Sequence, residues 1–130
     1  MPITIVTGAQ FGSEGKGKVA YLWAKEHNAS VAVRVGGPNS GHTVKENDDA
    51  YVLRQLPTPA LIPGNISILP PGAYIDVEVL SREIALVGAT PQTLIVDPAT
   101  AVVTEREREE ESSQHLRKGS AVLVREQAQR

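Results

Sequence analysis

The 130-residue sequence contains no cysteine. Neither a disulfide framework nor a thiolate metal site can therefore form. No apolar run approaches the roughly 18 residues of a membrane span, so no membrane partner is expected. The first residues lead straight into a short apolar segment, with no basic region, long apolar stretch or cleavage site. The compartment expected from this is the cytoplasm. An excess of one charge is also missing. Thirteen Lys and Arg oppose fifteen Asp and Glu, for a net charge of −2. This balance speaks against a nucleic-acid partner, which favours a basic domain. What is present, 41% hydrophobic and 22% charged residues, matches one soluble globular domain with a single core.

The chemistry concentrates in Gly8-Ala-Gln-Phe-Gly-Ser-Glu-Gly-Lys-Gly-Lys18. This stretch follows the apolar run at residues 3–7 and precedes a helical pattern starting near Lys18. A glycine-rich turn between strand and helix brings backbone amides and the helix dipole to one point. Lys16 and Lys18 add positive charge, and the result reads as a phosphate cradle. Gly12 to Lys18 fits G-x-x-x-x-G-K, but Val19 stands where the usual P-loop has a Ser or Thr for magnesium. This is a variant P-loop, and a metal must find its ligand elsewhere.

In chain order, Ile3, Ile5 and Val6 predict a short buried strand, central and parallel. Val19, Leu22 and Trp23 predict the buried face of the first helix, which ends at His27-Asn28. Residues 30–35 predict a second strand, parallel to the first through a right-handed crossover. At its C-terminal end lies Gly36-Gly-Pro-Asn-Ser-Gly-His-Thr43. Ligands bind at that end of the strands in open α/β sheets. Asn39, Ser40, His42 and Thr43 gather donors and acceptors there, and a backbone carbonyl could replace the missing metal ligand.

Residues 43–56 predict a hairpin around the polar turn at 46–49, with Asp48 and Asp49 solvated. Pro57, Pro59 and Pro63-Gly64 form a stiff connector. Further strands are expected at residues 66–69, 73–75, 93–96 and 99–103. Asp76 reads as the N-cap of a helix carrying Val77, Leu80, Ile84 and Val87, closed by Gly88. The fold class expected is α/β, a mostly parallel sheet with flanking helices and a β-hairpin excursion. Residues 1–104 would form a nucleotide-binding core. Residues 105–130 would form a charged tail, helical or partly disordered, in which Arg117, Lys118 and Arg125 are the candidate phosphate helpers.

The two glycine-rich stretches, in this order and at this separation, resemble the N-terminal signatures of the adenylosuccinate synthetase family. The similarity extends through Tyr51-Val-Leu53, Leu61-Ile-Pro-Gly64, Ile75-Asp76 and Leu94-Ile-Val96, and fades in the charged tail. The resemblance implies a ligase. The family phosphorylates O6 of a purine nucleoside monophosphate with a nucleoside triphosphate. It then displaces that phosphate with the amino group of L-aspartate. By resemblance, Gly12, Ser13, Glu14, Gly15, Lys16, Gly17 and Lys18 embrace the triphosphate, and Asn39 lies beside the monophosphate. Ser40, Gly41, His42 and Thr43 complete the nucleotide site. The Gly41 carbonyl contacts Mg2+, His42 acts as acid towards the phosphates, and Lys16 neutralises the transferred phosphoryl. A homodimer is also implied.

Ser13 departs from the family pattern, which has Asp as base and metal ligand. A serine cannot serve as a carboxylate base and is a poorer ligand for a hard cation. The departure is similar to the phage 2-aminoadenylosuccinate synthetase branch, which acts on dGMP with ATP or dATP. IMP with GTP is the alternative pair, and a nucleotide-binding module without catalysis is the alternative class. Family members run to several hundred residues, and the regions that grip the triphosphate base and the aspartate have no counterpart here.

Overall fold

The structure, a computed structural model, describes residues 2–9, 14–104 and 107. Among the described residues, the helices α1 (Lys16–Glu26) and α2 (Val77–Val87) accompany seven strands. These are β1 (Val31–Val33), β2 (His42–Glu46), β3 (Asp49–Leu53), β4 (Ile66–Leu69), β5 (Tyr74–Ile75), β6 (Leu94–Val96) and β7 (Ala101–Val102). The order β1-β4-β6 makes a parallel three-stranded sheet, and β5 pairs parallel with β7. The antiparallel exception is the β2–β3 hairpin, in which His42 lies opposite Leu53. The expected α/β class and hairpin excursion are both present.

The expected first strand is not. Residues 3–6 join no ladder among the described residues, and Ile3 and Ile5 are 87% and 79% exposed. A strand has no stability without a neighbour to complete its backbone hydrogen bonds. Here β1 has β4 as its partner. The crossover expected between the first two strands is therefore replaced by the parallel pairing of β1 with β4.

The register divides the sheet's side chains by size and burial. Ser67, Leu69 and Leu94 share one face, because paired residues point the same way and alternate along the strand. Leu69 packs there with Ala73 and Ile75, and Leu80 of α2 and Leu94 close the cluster. Val31, Val33, Ile66, Ile68 and Ile95 share the other face, where Val33 remains 57% exposed.

Both caps of α2 follow the sequence. Asp76 accepts the amides of Glu78 and Val79 through Oδ1, each at 3.1 Å, and Gly88 closes the helix in the left-handed region at φ 67°. The buried residue of α2 is nevertheless Glu83, not one of the four apolar residues that define the expected face. The face of α1 is also displaced. Gly17, Tyr21 and Ala24 are buried, whereas Val19, Leu22 and Trp23 are exposed. Small residues at 17 and 24 let α1 lie close against β2 and the 3-10 turn Thr58–Leu61. Close approach at Gly17 and Ala24 and burial of the Tyr21 ring together define the inward face. The helix stops where expected, with Asn28 at φ 51° and Ala29 N–H bonded to Ala24 O at 2.9 Å.

The charged tail expected at 105–130, with Arg117, Lys118 and Arg125, lies outside the described residues except Glu107. The described part of the chain contains no helix long and apolar enough to cross a membrane.

Removing the Asp76 cap leaves two first-turn amides of α2 without their acceptor. Asp76→Ala is expected to lower stability by about 1 kcal/mol, read as a lower urea midpoint at unchanged slope.

Candidate phosphate site

Gly15 precedes α1 in the left-handed region, φ 74°, and the helix start has no side-chain cap. A residue without Cβ enters that region at no steric cost. An uncapped helix start directs free amide donors and the positive dipole end towards whatever lies in front of it. The side chain of Lys16 crosses this space to Glu14, with Nζ 2.6 Å from Oε2. Both tips rest on Gly8, where a Cβ would meet the Glu14 carboxylate and come within 2.7 Å of Lys16 Nζ. Gly8 is thus part of the first turn's floor. The Glu14–Lys16 pair is partly exposed and contributes little to stability. A polyanion can compete with Glu14 for Lys16 at small cost.

The second turn meets the first at Gly17. A Cβ there would lie 2.5 Å from His42 Cβ and 2.7 Å from both Cγ and Nδ1 of the same ring. The imidazole therefore lies directly on the first turn of α1. His42 is half-buried, and its pKa falls below the ordinary 6.5, first through burial and then through the charges of Arg34 and Lys16. Arg34 anchors the turn itself, with Nη2 donating to Ser40 O at 3.0 Å. Burial lowers the Arg34 pKa as well, while the carboxylate of Glu83 pulls it back up.

The residues named from sequence fall into three groups. Glu14, Gly15, Lys16, Gly17 and His42 come together at one place. Ser40 and Gly41 lie on the adjoining turn, Gly41 against Val52 of β3. Asn39, Thr43 and Lys18 are exposed, Thr43 within β2 opposite Val52. Gly12 and Ser13 lie outside the described residues. Sequence reasoning missed Arg34, Thr58, Gln55 and Glu83. A charge inside Val31-Ala-Val-Arg-Val35 was a legible sign for Arg34, and Glu83 sits between Leu80 and Ile84 on the apolar side of its helix. Thr58 carried no such sign. A separate cavity of about 210 Å³, lined by Asn65, Ser67, Gly88 and Thr93 among others, adjoins the start of β4 and the end of α2. Among the described residues, no charged side chain lines it.

A family model described as adenylosuccinate synthetase matches residues 5–123. The chain is 41% identical over 105 residues to the adenylosuccinate synthetase of Methanosarcina mazei, covering 77% of this chain and 27% of that one. It is 38% identical over 124 residues to that of Methanococcus vannielii, covering 91% and 36%. Its fold is similar to the fully ligated adenylosuccinate synthetase of Plasmodium falciparum, with a TM-score of 0.74 and 34% identity over 82% of this chain and 25% of that one. It is also similar to the succinoaminodeoxyadenylate synthetase of cyanophage S-2L, solved with dGMP and with dATP as energy donor. That match has a TM-score of 0.67 and 35% identity over 82% and 31% of the two chains. The chain spans about a quarter to a third of the length of these proteins.

The contact at Gly17 can be tested by sign. Gly→Ala inside a helix ordinarily stabilises by up to about 1 kcal/mol. Here the added methyl collides with His42, and Gly17→Ala is expected to destabilise by about 1–3 kcal/mol in chemical denaturation.

The depressed His42 pKa has its own signature. The unfolded chain binds the His42 proton near pH 6.5, and the folded chain binds it only at lower pH. The stability this group contributes is complete above pH 6.5 and declines as pH falls through the folded pKa. The loss in denaturant midpoint from pH 7 downwards is expected to be smaller in His42→Gln than in the unsubstituted chain.

Proposed function

Because the chain belongs to the adenylosuccinate synthetase family, we propose that it forms the phosphate-binding part of a ligase joining L-aspartate to C6 of a purine nucleoside monophosphate. The energy comes from a nucleoside triphosphate. The observation that carries this reading is the seating of His42 on the first turn of α1, beside Lys16. Phosphoryl transfer asks for positioning and charge stabilisation more than for covalent chemistry by the protein. Two donor-rich turns and two cations around one space supply both.

In this reading the amides of residues 14–18 hold the triphosphate, and Lys16 leaves Glu14 for the phosphoryl in transit. Burial, and then the charges of Arg34 and Lys16, lower the His42 pKa in the free site. A bound polyphosphate reverses the sign of the field and draws a proton onto the imidazole, which then serves as acid. Asn39 adjoins the monophosphate.

Among the described residues, no group of three or more His, Cys, Asp or Glu could hold a metal. The second turn offers backbone carbonyls instead. This donor set suits Mg2+, which keeps water and phosphate oxygens as most of its ligands. The Gly41 carbonyl would hold the ion, whose chemistry here is neutralisation of phosphate charge.

The favoured substrate pair is dGMP with ATP or dATP. Ser13, in place of the family's Asp, leaves room for a 2-amino group that a carboxylate would crowd. The second reading, IMP with GTP, is favoured by the curated relatives, which are adenylosuccinate synthetases at 41% and 38% identity. A nucleotide-binding module without turnover would show thermal stabilisation by ATP or dGMP but no phosphate release. The family resemblance also points to a homodimer.

Calorimetric titration with dGMP and with IMP, alone and after Ser13→Asp, separates the substrate readings. Tighter binding of dGMP is expected, moving towards IMP in the variant. An unchanged preference removes Ser13 as the determinant, and binding of neither nucleotide removes the proposed function.

A further inference from the structure

The corner formed by residues 54–58 supplies no proposed ligand residue, yet it holds both phosphate turns. Its centre is a buried carboxylate. Glu83 is 5% exposed and accepts three successive backbone N–H groups, from Arg54 at 2.5 Å, Gln55 at 3.0 Å and Leu56 at 2.8 Å. Hydrogen bonds to a charged acceptor are the strong ones, and without them a buried carboxylate costs several kcal/mol. The Gln55 side chain completes the arrangement. Its Nε2 donates to Tyr74 O at 2.8 Å, and its Oε1 accepts from Asp76 N at 2.7 Å. Leu53 and Leu56 are fully buried on either side. The corner is thereby tied to α2 and β5 and cannot shift independently of them.

Two connections leave this corner. The Thr58 hydroxyl donates to Gly17 O at 2.6 Å, inside the first turn of α1. The Arg34 guanidinium spans Leu56 O at 3.5 Å and Ser40 O at 3.0 Å, inside the second turn. One rigid piece of backbone therefore grips each turn through a different side chain. We propose that the corner at 54–58, clamped by Glu83, sets the spacing of the two phosphate turns, with Thr58 and Arg34 as positioning residues. The inference rests on the proposed phosphate site, whose reaction is sensitive to displacements of about 1 Å.

Amide hydrogen exchange on the ligand-free chain tests the coupling, and tripolyphosphate titration tests its consequence. In Thr58→Val, which keeps the shape and loses the hydroxyl, exchange at residues 19–21 is expected to rise about tenfold. Exchange in α2, β4 and β6 should stay unchanged, and Thr58→Ser should restore the original rate. In Glu83→Gln, exchange should rise at residues 19–21 and 42–44 together. Tripolyphosphate affinity should fall about tenfold in Thr58→Val and recover in Thr58→Ser. An unchanged rate at residues 19–21 in Thr58→Val, or an equal rise across the whole fold, overturns the inference. If Glu83→Gln does not fold, the Thr58 pair decides it. Absence of tripolyphosphate binding by the unsubstituted chain overturns the proposed function, while the exchange pattern still decides the coupling.

Discussion

Everything at the candidate site depends on how closely α1 approaches His42. At Gly17 the helix backbone and the imidazole occupy space that any Cβ would need. That proximity brings the start of α1 and the His42 ring of the second turn into direct contact. It also explains the orientation of α1. The helix turns Gly17, Tyr21 and Ala24 inward and Val19, Leu22 and Trp23 outward, a face different from the one that the apolar spacing of Val19, Leu22 and Trp23 marks.

Charge is placed with the same economy. Lys16 and Arg34 act on His42 and Glu83 acts on Arg34, and each of the three has a defined electrostatic partner. Glu83 is satisfied by backbone amides, Arg34 by two carbonyls and by the field of Glu83, and Lys16 by Glu14. Glu83 is fixed in the interior and Arg34 is part-buried, whereas the Lys16–Glu14 pair is partly exposed and exchangeable. A binding site needs that combination of a rigid frame and one loosely held cation.

The sheet adds a constraint of its own. Parallel sheets are ordinarily covered on both faces. Here the face with Leu69 and Leu94 is packed against α2, and the face with Val31, Val33, Ile66, Ile68 and Ile95 carries exposed β-branched residues. The same asymmetry accompanies residues 3–6, whose apolar pattern reads as a strand and finds no ladder among the described residues.

Local chemistry was readable from the sequence alone. The Asp76 and Gly88 caps, the stop at Asn28, the hairpin and the two glycine-rich turns each depend on a few adjacent residues, and such signals survive without knowledge of the rest of the chain. Only the tertiary structure decided which face of α1 is buried, that Glu83 is the interior residue of α2, and that Thr58 and Arg34 reach the two turns. Arg34 joins Ser40, six positions on, to Leu56, 22 positions on, and Thr58 reaches Gly17 across 41 positions. Their energies come from desolvation and close packing, which no single stretch of sequence contains.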